Sequence, residues 1–411
     1  MRWLRVLYVS NGLAVGSLYG FIPVLLASKG FDPALVGVAT SLGSASYTMA
    51  LPMWGHVSDA ITGPRRALQL ACIPAAVFAL GLAAPLPVLA VIFCQVVLSV
   101  GSGPGMALTD AMVVPELEDA SREYSRLRLL TSSGAASSAA LCGALYSVTG
   151  YTAAPFVYRV VMAATFTAAH FVTVGRAPVR HEPIAVAPAS LTDSEATALP
   201  RRPRGGSIGE VFRIRPRMYG ILVSVVLIFI GVMAAGTYVT LRITDLGGGP
   251  FGVGLSNAIG WSAEVPGMIL AGWLIARFGA RPVLAISSTG FAACIGSWVI
   301  LADLVSISVT RFASGVFFAG VFVSFVLTIS AILPPRLQST GQTLLQAACF
   351  GFAAIVANLA GGLLYQQFGP GGVFGGGAVC AAIGGLVGLA VLPSEVEPEG
   401  ISAAPAAPSV A

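Results

Sequence analysis

The stretch Gly55-His-Val-Ser-Asp59-Ala-Ile-Thr-Gly63-Pro-Arg65-Arg66 returns 217 positions later as Gly272-Trp-Leu-Ile-Ala276-Arg277-Phe-Gly279-Ala-Arg281. Each copy follows an apolar run and ends in glycine and arginine, the signature of a membrane span closing in a tight turn. Two further matches keep nearly the same offset. Gly143, Tyr146 and Gly150 correspond to Gly362, Tyr365 and Gly369, and Tyr19 with Gly30 corresponds to Tyr238 with Gly249. A repeat of this length divides the chain into two equivalent halves.

Outward from these turns the chain is apolar throughout. Of 411 residues, 56% are hydrophobic and 9% charged, against about 25% charged in soluble domains. Mean hydropathy is +0.86, so most helices meet lipid or another apolar helix on every face. Apolar runs fall near residues 4–27, 34–56, 66–85, 87–115, 125–149 and 153–174. After a polar stretch they resume near 218–243, 251–276, 281–300, 303–333, 338–367 and 370–392. The pattern predicts an all-α integral membrane protein with twelve transmembrane helices in two pseudo-symmetric six-helix bundles, residues 1–174 and 218–393. Residues 175–217, rich in proline and arginine, read as a largely disordered cytoplasmic linker, and 394–411 as a disordered cytoplasmic tail. The first apolar run lacks a small-x-small cleavage site and reads as a span rather than a signal peptide.

The net charge of +5 comes from residues set singly between apolar runs, which argues against nucleic-acid binding and for topology signals. With a cytoplasmic N-terminus, inside segments hold 18 of the 22 positive residues and outside loops hold only Lys29 and Arg242. That places both termini and the linker in the cytoplasm of a cell whose inner membrane the protein spans. The six cysteines stand alone in apolar runs, away from any histidine, so neither a disulfide framework nor a metal site is indicated and no cofactor is expected. No nucleophile and base set points to an enzyme. The expected partners are a small-molecule solute, protons and the bilayer, with the protein acting as a monomer.

Ionisable residues inside spans are the candidates for function, because each costs at least ~2.5 kcal/mol on insertion scales. Glu264 counts to the midplane of the eighth span, where a carboxyl is placed to take and release a proton; the alternative is a structural hydrogen bond beside Pro266. Asp110 and Arg128 flank a helical hairpin symmetrically and fall at equal depth, as a switchable or a permanent salt bridge. Arg159 and Arg311 enter the sixth and tenth spans to similar depth, facing either a cavity or the outer surface. Tyr19, Tyr238 and Trp261 are candidate aromatic liners of a solute site.

Twelve spans, a 6+6 repeat, a long central loop and the GxxxD…G.RR turn resemble the major facilitator superfamily. In that family the turn is a gate latch, which implies gating roles for Asp59, Arg65 and Arg66. Here Gly63 falls one residue later than usual and Ala60 replaces a common arginine. Asp110 followed by Tyr124-Ser-Arg126-Leu-Arg128 is similar to the lactose-permease-like branch, which includes phenylpropionate and nucleoside permeases. The resemblance implies that Asp110 and Arg128 bind the solute. The branch's aromatic platform is absent, with Ala135 in its place, and Ser314 and Phe317 stand where its proton relay falls. Glu264-Val-Pro266 with Gly272 looks like the bacterial sugar efflux transporters. Together these imply a secondary active transporter, proton-coupled, moving a sugar-like or carboxylated solute by alternating access. The alternative is an efflux pump for a drug or natural product, although the helix 5 element of drug antiporters is absent.

Overall fold

The computed structural model describes residues 2–113, 120–172 and 208–392, and among these every regular element is helical. Eight helical stretches are long and apolar enough to cross a membrane, the last, Thr340–Val391, holding two passages, and three further helices, Ala120–Thr149, Ala154–Phe171 and Ala280–Ser297, complete a set of twelve. In chain order the passages are α1 (Trp3–Ser28), α2 (Pro33–Thr62), α3 (Pro64–Ala83), α4 (Val88–Val113), α5 (Ala120–Thr149) and α6 (Ala154–Phe171). The second set is α7 (Arg217–Asp245), α8 (Gly249–Phe278), α9 (Ala280–Ser297), α10 (Leu304–Ile332), α11 (residues 335–368) and α12 (residues 370–391). An even number of passages returns both ends of the described chain to one side, called here the termini face.

The local reasons for these boundaries are legible. Asp32 caps α2 by accepting from the Leu35 N–H at 2.8 Å, and Asp303 caps α10 by accepting from Ser306 at 2.7 Å. The repeated glycines end their helices in the same backbone state. Gly63 (φ 78°, ψ 159°), Gly279 (85°, 164°) and Gly150 (81°, 165°) occupy a region essentially closed to other residues. Gly369 (64°, −160°) does likewise and, with Pro370, separates α11 from α12. The extra residue between Asp59 and Gly63 has a structural cause: Val57–Thr62 is π-helical, which absorbs a one-residue insertion without moving the turn.

Neighbour relations in the first half recur in the second. α1 packs on α5 and α6 as α7 does on α11 and α12; α2 meets α4 as α8 meets α10; α3 meets α6 as α9 meets α12. The halves join through α2 with α11 and α5 with α8. Both seams are backbone on backbone. A methyl on Gly37 would come within 3.0 Å of Gly362 Cα, and one on Gly143 within 2.9 Å of Gly254 Cα. All four glycines lie toward the face opposite the termini.

Of the segment 175–217, read from the sequence as a largely disordered linker, only the last residues are described. Ile208–Ile214 is helical, buries Val211, and is followed by Arg215 Nε donating to the Ile332 carbonyl at 2.9 Å. One buried valine and an anchored arginine give this segment a packing surface that its composition disguised. Residues 173–207 and 393–411, which carry the rest of the linker and tail readings, lie outside the described residues.

Candidate functional site

A cavity of about 330 Å³ lies between the halves. Helix breaks shape it: the 3-10 turn Tyr19–Phe21 interrupts α1, and the π-helical turn Ala347–Phe352 interrupts α11. Tyr19 and Pro23 line it from α1, Thr40, Ser44 and Tyr47 from α2, and Gln95 and Ser99 from α4. The second half contributes Thr237 from α7, Asn257 and Trp261 from α8, Arg311 from α10, and Phe350 and Asn358 from α11.

Two amides stitch the halves at its margin. Asn257 Nδ2 donates to the Gly20 carbonyl at 3.0 Å, and Asn358 Nδ2 donates to Ser44 Oγ at 3.4 Å. Asn358 Oδ1 accepts from Thr237 at 2.7 Å and its backbone carbonyl accepts from Tyr238 at 2.5 Å, so one asparagine organises three helices. Tyr19 hydrogen-bonds Ser102 and sits edge-on to Tyr158 at 6.2 Å, which fixes its ring at the cavity wall.

Charge in the lining is confined to Arg311. Its guanidinium carbon stands 5.8 Å from the centre of the Trp298 ring, and it interacts electrostatically with Glu264 without a hydrogen bond between them. Glu264 is half-buried halfway along α8, one turn beyond Gly260 and two residues before Pro266, and is not among the residues that line the cavity. A half-buried arginine paired at a distance with a half-buried carboxyl forms a charge pair that a proton or a polar ligand perturbs.

Of the residues singled out in the sequence, Tyr19, Trp261 and Arg311 line the cavity. Tyr238 does not. It is fully buried at the seam beside Gly37, stacked on Tyr365 at 5.7 Å with its hydroxyl donating to the Asn358 carbonyl. Arg159 is also misplaced by the cavity reading: it is exposed on the outer side of α6 between Phe156 and Val160, because the neighbouring Tyr158 takes the inward position.

Asp110 accepts from the Tyr8 hydroxyl at 2.6 Å. It lies eleven residues beyond Ser99 on α4, roughly 16 Å by the helical rise and toward the termini face, outside the cavity lining. Arg128 is on α5, but its side chain is outside the described residues, so the Asp110–Arg128 pair is untested by geometry. Asp59 and Arg66 are exposed, and Arg65 shares a hydrogen bond of 3.3 Å with His170 of its own half. Among the described residues none of these three is hydrogen-bonded to the second half.

Sequence reasoning missed Gln95, Asn257 and Asn358, the neutral amides of the site, and Tyr8, the partner of Asp110. The signal existed: an amide within an apolar span such as Val91-Ile-Phe-Cys-Gln95-Val-Val-Leu98 also needs a partner or a task. Attention to ionisable groups alone passed over it.

Comparison with known proteins agrees with the architecture. The chain is 26% identical over 376 residues to the maltose permease of Geobacillus stearothermophilus, covering 91% of this chain and 90% of the relative. The structure of the nucleoside transporter NupG superposes with a TM-score of 0.73 at 14% identity over 95% of this chain and 97% of that one. A D-xylose-proton symporter superposes with 0.70 at 14% identity over 97% of both. Residues 2–375 match the MFS_1 like family. With twelve helical passages, a twofold repeat and a cavity on the seam between the halves, this chain belongs to that family of multi-pass membrane transporters and is not an enzyme.

Proposed function

We propose that the protein is a proton-coupled secondary transporter of a small, neutral, hydroxyl-rich solute of the sugar class, working by alternating access between the two bundles. The observation that carries the reading is the cavity itself. Its polar groups are overwhelmingly neutral hydroxyls and amides beside Trp261 and Tyr19, a set that hydrogen-bonds hydroxyls and stacks on the apolar face of a sugar ring. Its volume lies at the small end of ligand sites, which suits a mono- or disaccharide better than a bulky drug. The maltose permease relative supports the same class.

In this reading Glu264 carries the proton, and residues 1–174 and 218–393 are the two moving bundles. Both termini and the segment joining the bundles face the cytoplasm, in keeping with the arginine bias. The Gly37–Gly362 and Gly143–Gly254 seams then close the outer side. The test is uptake of radiolabelled maltose, D-xylose and uridine into proteoliposomes under an imposed pH gradient. Saturable, gradient-dependent accumulation of a sugar is expected. Accumulation of none of the three, or uridine alone, would overturn the sugar reading.

A further inference from the structure

Two polar atoms of cavity-lining residues are buried without a hydrogen-bond partner: Gln95 Oε1 on α4 and Arg311 Nε on α10. Gln95 is 3% exposed, so its carbonyl does not reach bulk solvent. Leaving such an atom unpaired is destabilising, and a site that keeps two of them asks for a ligand that satisfies both.

The two residues are also structural equivalents. They stand 216 positions apart on the corresponding helices of the repeat. Each lies across a glycine of the neighbouring even-numbered helix, and those glycines, Gly43 and Gly260, are 217 positions apart. A methyl on Gly43 would stand 3.0 Å from Gln95 Nε2, and one on Gly260 would stand 3.1 Å from Arg311 Nε. The same device is therefore built once in each half: the long polar arm of a cavity-lining residue laid over a bare stretch of backbone. Only the chemistry has diverged, to an amide that both accepts and donates in the first half and a pure donor in the second.

We infer that Gln95 and Arg311 form a two-armed clasp that holds the solute across the seam between the halves. Both residues line the cavity but Gln95 Oε1 and Arg311 Nε are closed to water in this state, so each side chain turns toward the solute on binding: Gln95 accepts from a hydroxyl at one end and Arg311 donates to an oxygen at the other. The inference rests on the sugar reading above and deepens it by assigning the specificity residues, one in each half.

The experiment measures binding of maltose, D-xylose and uridine to purified protein by titration calorimetry, together with thermal unfolding of the ligand-free protein. The variants are Gln95→Leu, Gln95→Asn, Gly43→Ala and Arg311→Lys, the last keeping the charge opposite Glu264 while losing the planar fork. Affinity for the bound sugar should fall at least tenfold in Gln95→Leu and Arg311→Lys, and less in Gln95→Asn and Gly43→Ala. The ligand-free Gln95→Leu protein should unfold at the wild-type temperature or above it, since the change removes an unsatisfied buried atom. If the wild type binds a sugar and Gln95→Leu binds it equally well, or if Gln95→Leu lowers stability and leaves affinity intact, the clasp is wrong while the sugar reading stands. If the wild type binds no sugar, both fall.

Discussion

Gly143 of α5 lies against Gly254 of α8 so closely that a methyl on Gly143 would come within 2.9 Å of the Gly254 Cα and of the Pro250 carbonyl. The repeat sets the same contact between Gly37 of α2 and Gly362 of α11. Two glycine seams related by the internal symmetry hold the halves together on the side opposite the termini. Small residues permit such approach in lipid, where close packing rather than the hydrophobic effect drives helices together.

A side chain in either seam should wedge that side open. The reporter is Ser44→Cys in a protein lacking its native cysteines. Adding Gly254→Leu should raise the rate at which a membrane-impermeant maleimide labels the reporter thiol several-fold from the side opposite the termini. Gly55→Ala, which meets no atom within 4 Å, is the control. An unchanged rate in Gly254→Leu would show that the seam does not gate access.

The turn glycines should be intolerant for a different reason. Gly279 holds φ 85° and ψ 164°, a conformation that costs a non-glycine residue about 1–3 kcal/mol. Gly279→Ala should therefore unfold earlier in a thermal scan in detergent. Gly272→Ala, at a helical position with open space around it, should match the wild type or exceed it slightly.

Glu264 is the test of coupling. Replacing it with glutamine removes the titratable group and leaves Arg311 without its countercharge. Glu264→Gln should abolish accumulation driven by a pH gradient while preserving exchange of solute at equal pH on both sides. Retained accumulation in the mutant would place the proton elsewhere, and Asp110→Asn would then be the next measurement.

Tyr8 and Asp110 supply the contrast to the cavity residues. The hydrogen bond that Asp110 accepts from the Tyr8 hydroxyl at 2.6 Å ties α1 to α4, and an intramolecular hydrogen bond typically contributes about 0.5–1.5 kcal/mol. Tyr8→Phe should lower the unfolding midpoint but leave solute affinity within about twofold, because the pair lies about 16 Å along α4 from the cavity by the helical rise. A tenfold loss of affinity would return Asp110 and Arg128 to the binding site that the lactose-permease resemblance implies.

Much of this architecture is determined by the sequence alone. Hydropathy sets the twelve passages because a backbone in lipid has to satisfy its own hydrogen bonds. The repeated glycines mark the turns because their backbone angles exclude other residues, and the repeat fixes the pseudo-symmetry. The tertiary structure alone decides which face of each helix meets the cavity. In a soluble helix that choice is written as an apolar stripe, but lipid is as apolar as a neighbouring helix, so the stripe is missing. Arg159 and Arg311 illustrate the point: the sequence sets them at similar depth, yet rotation about the helix axis sends one outward between Phe156 and Val160 and the other over Gly260 into the cavity. The pairing of Gln95 with Arg311 is likewise invisible to a search for charges, because it needs two helices from each half folded against one another before a glutamine and an arginine become equivalent.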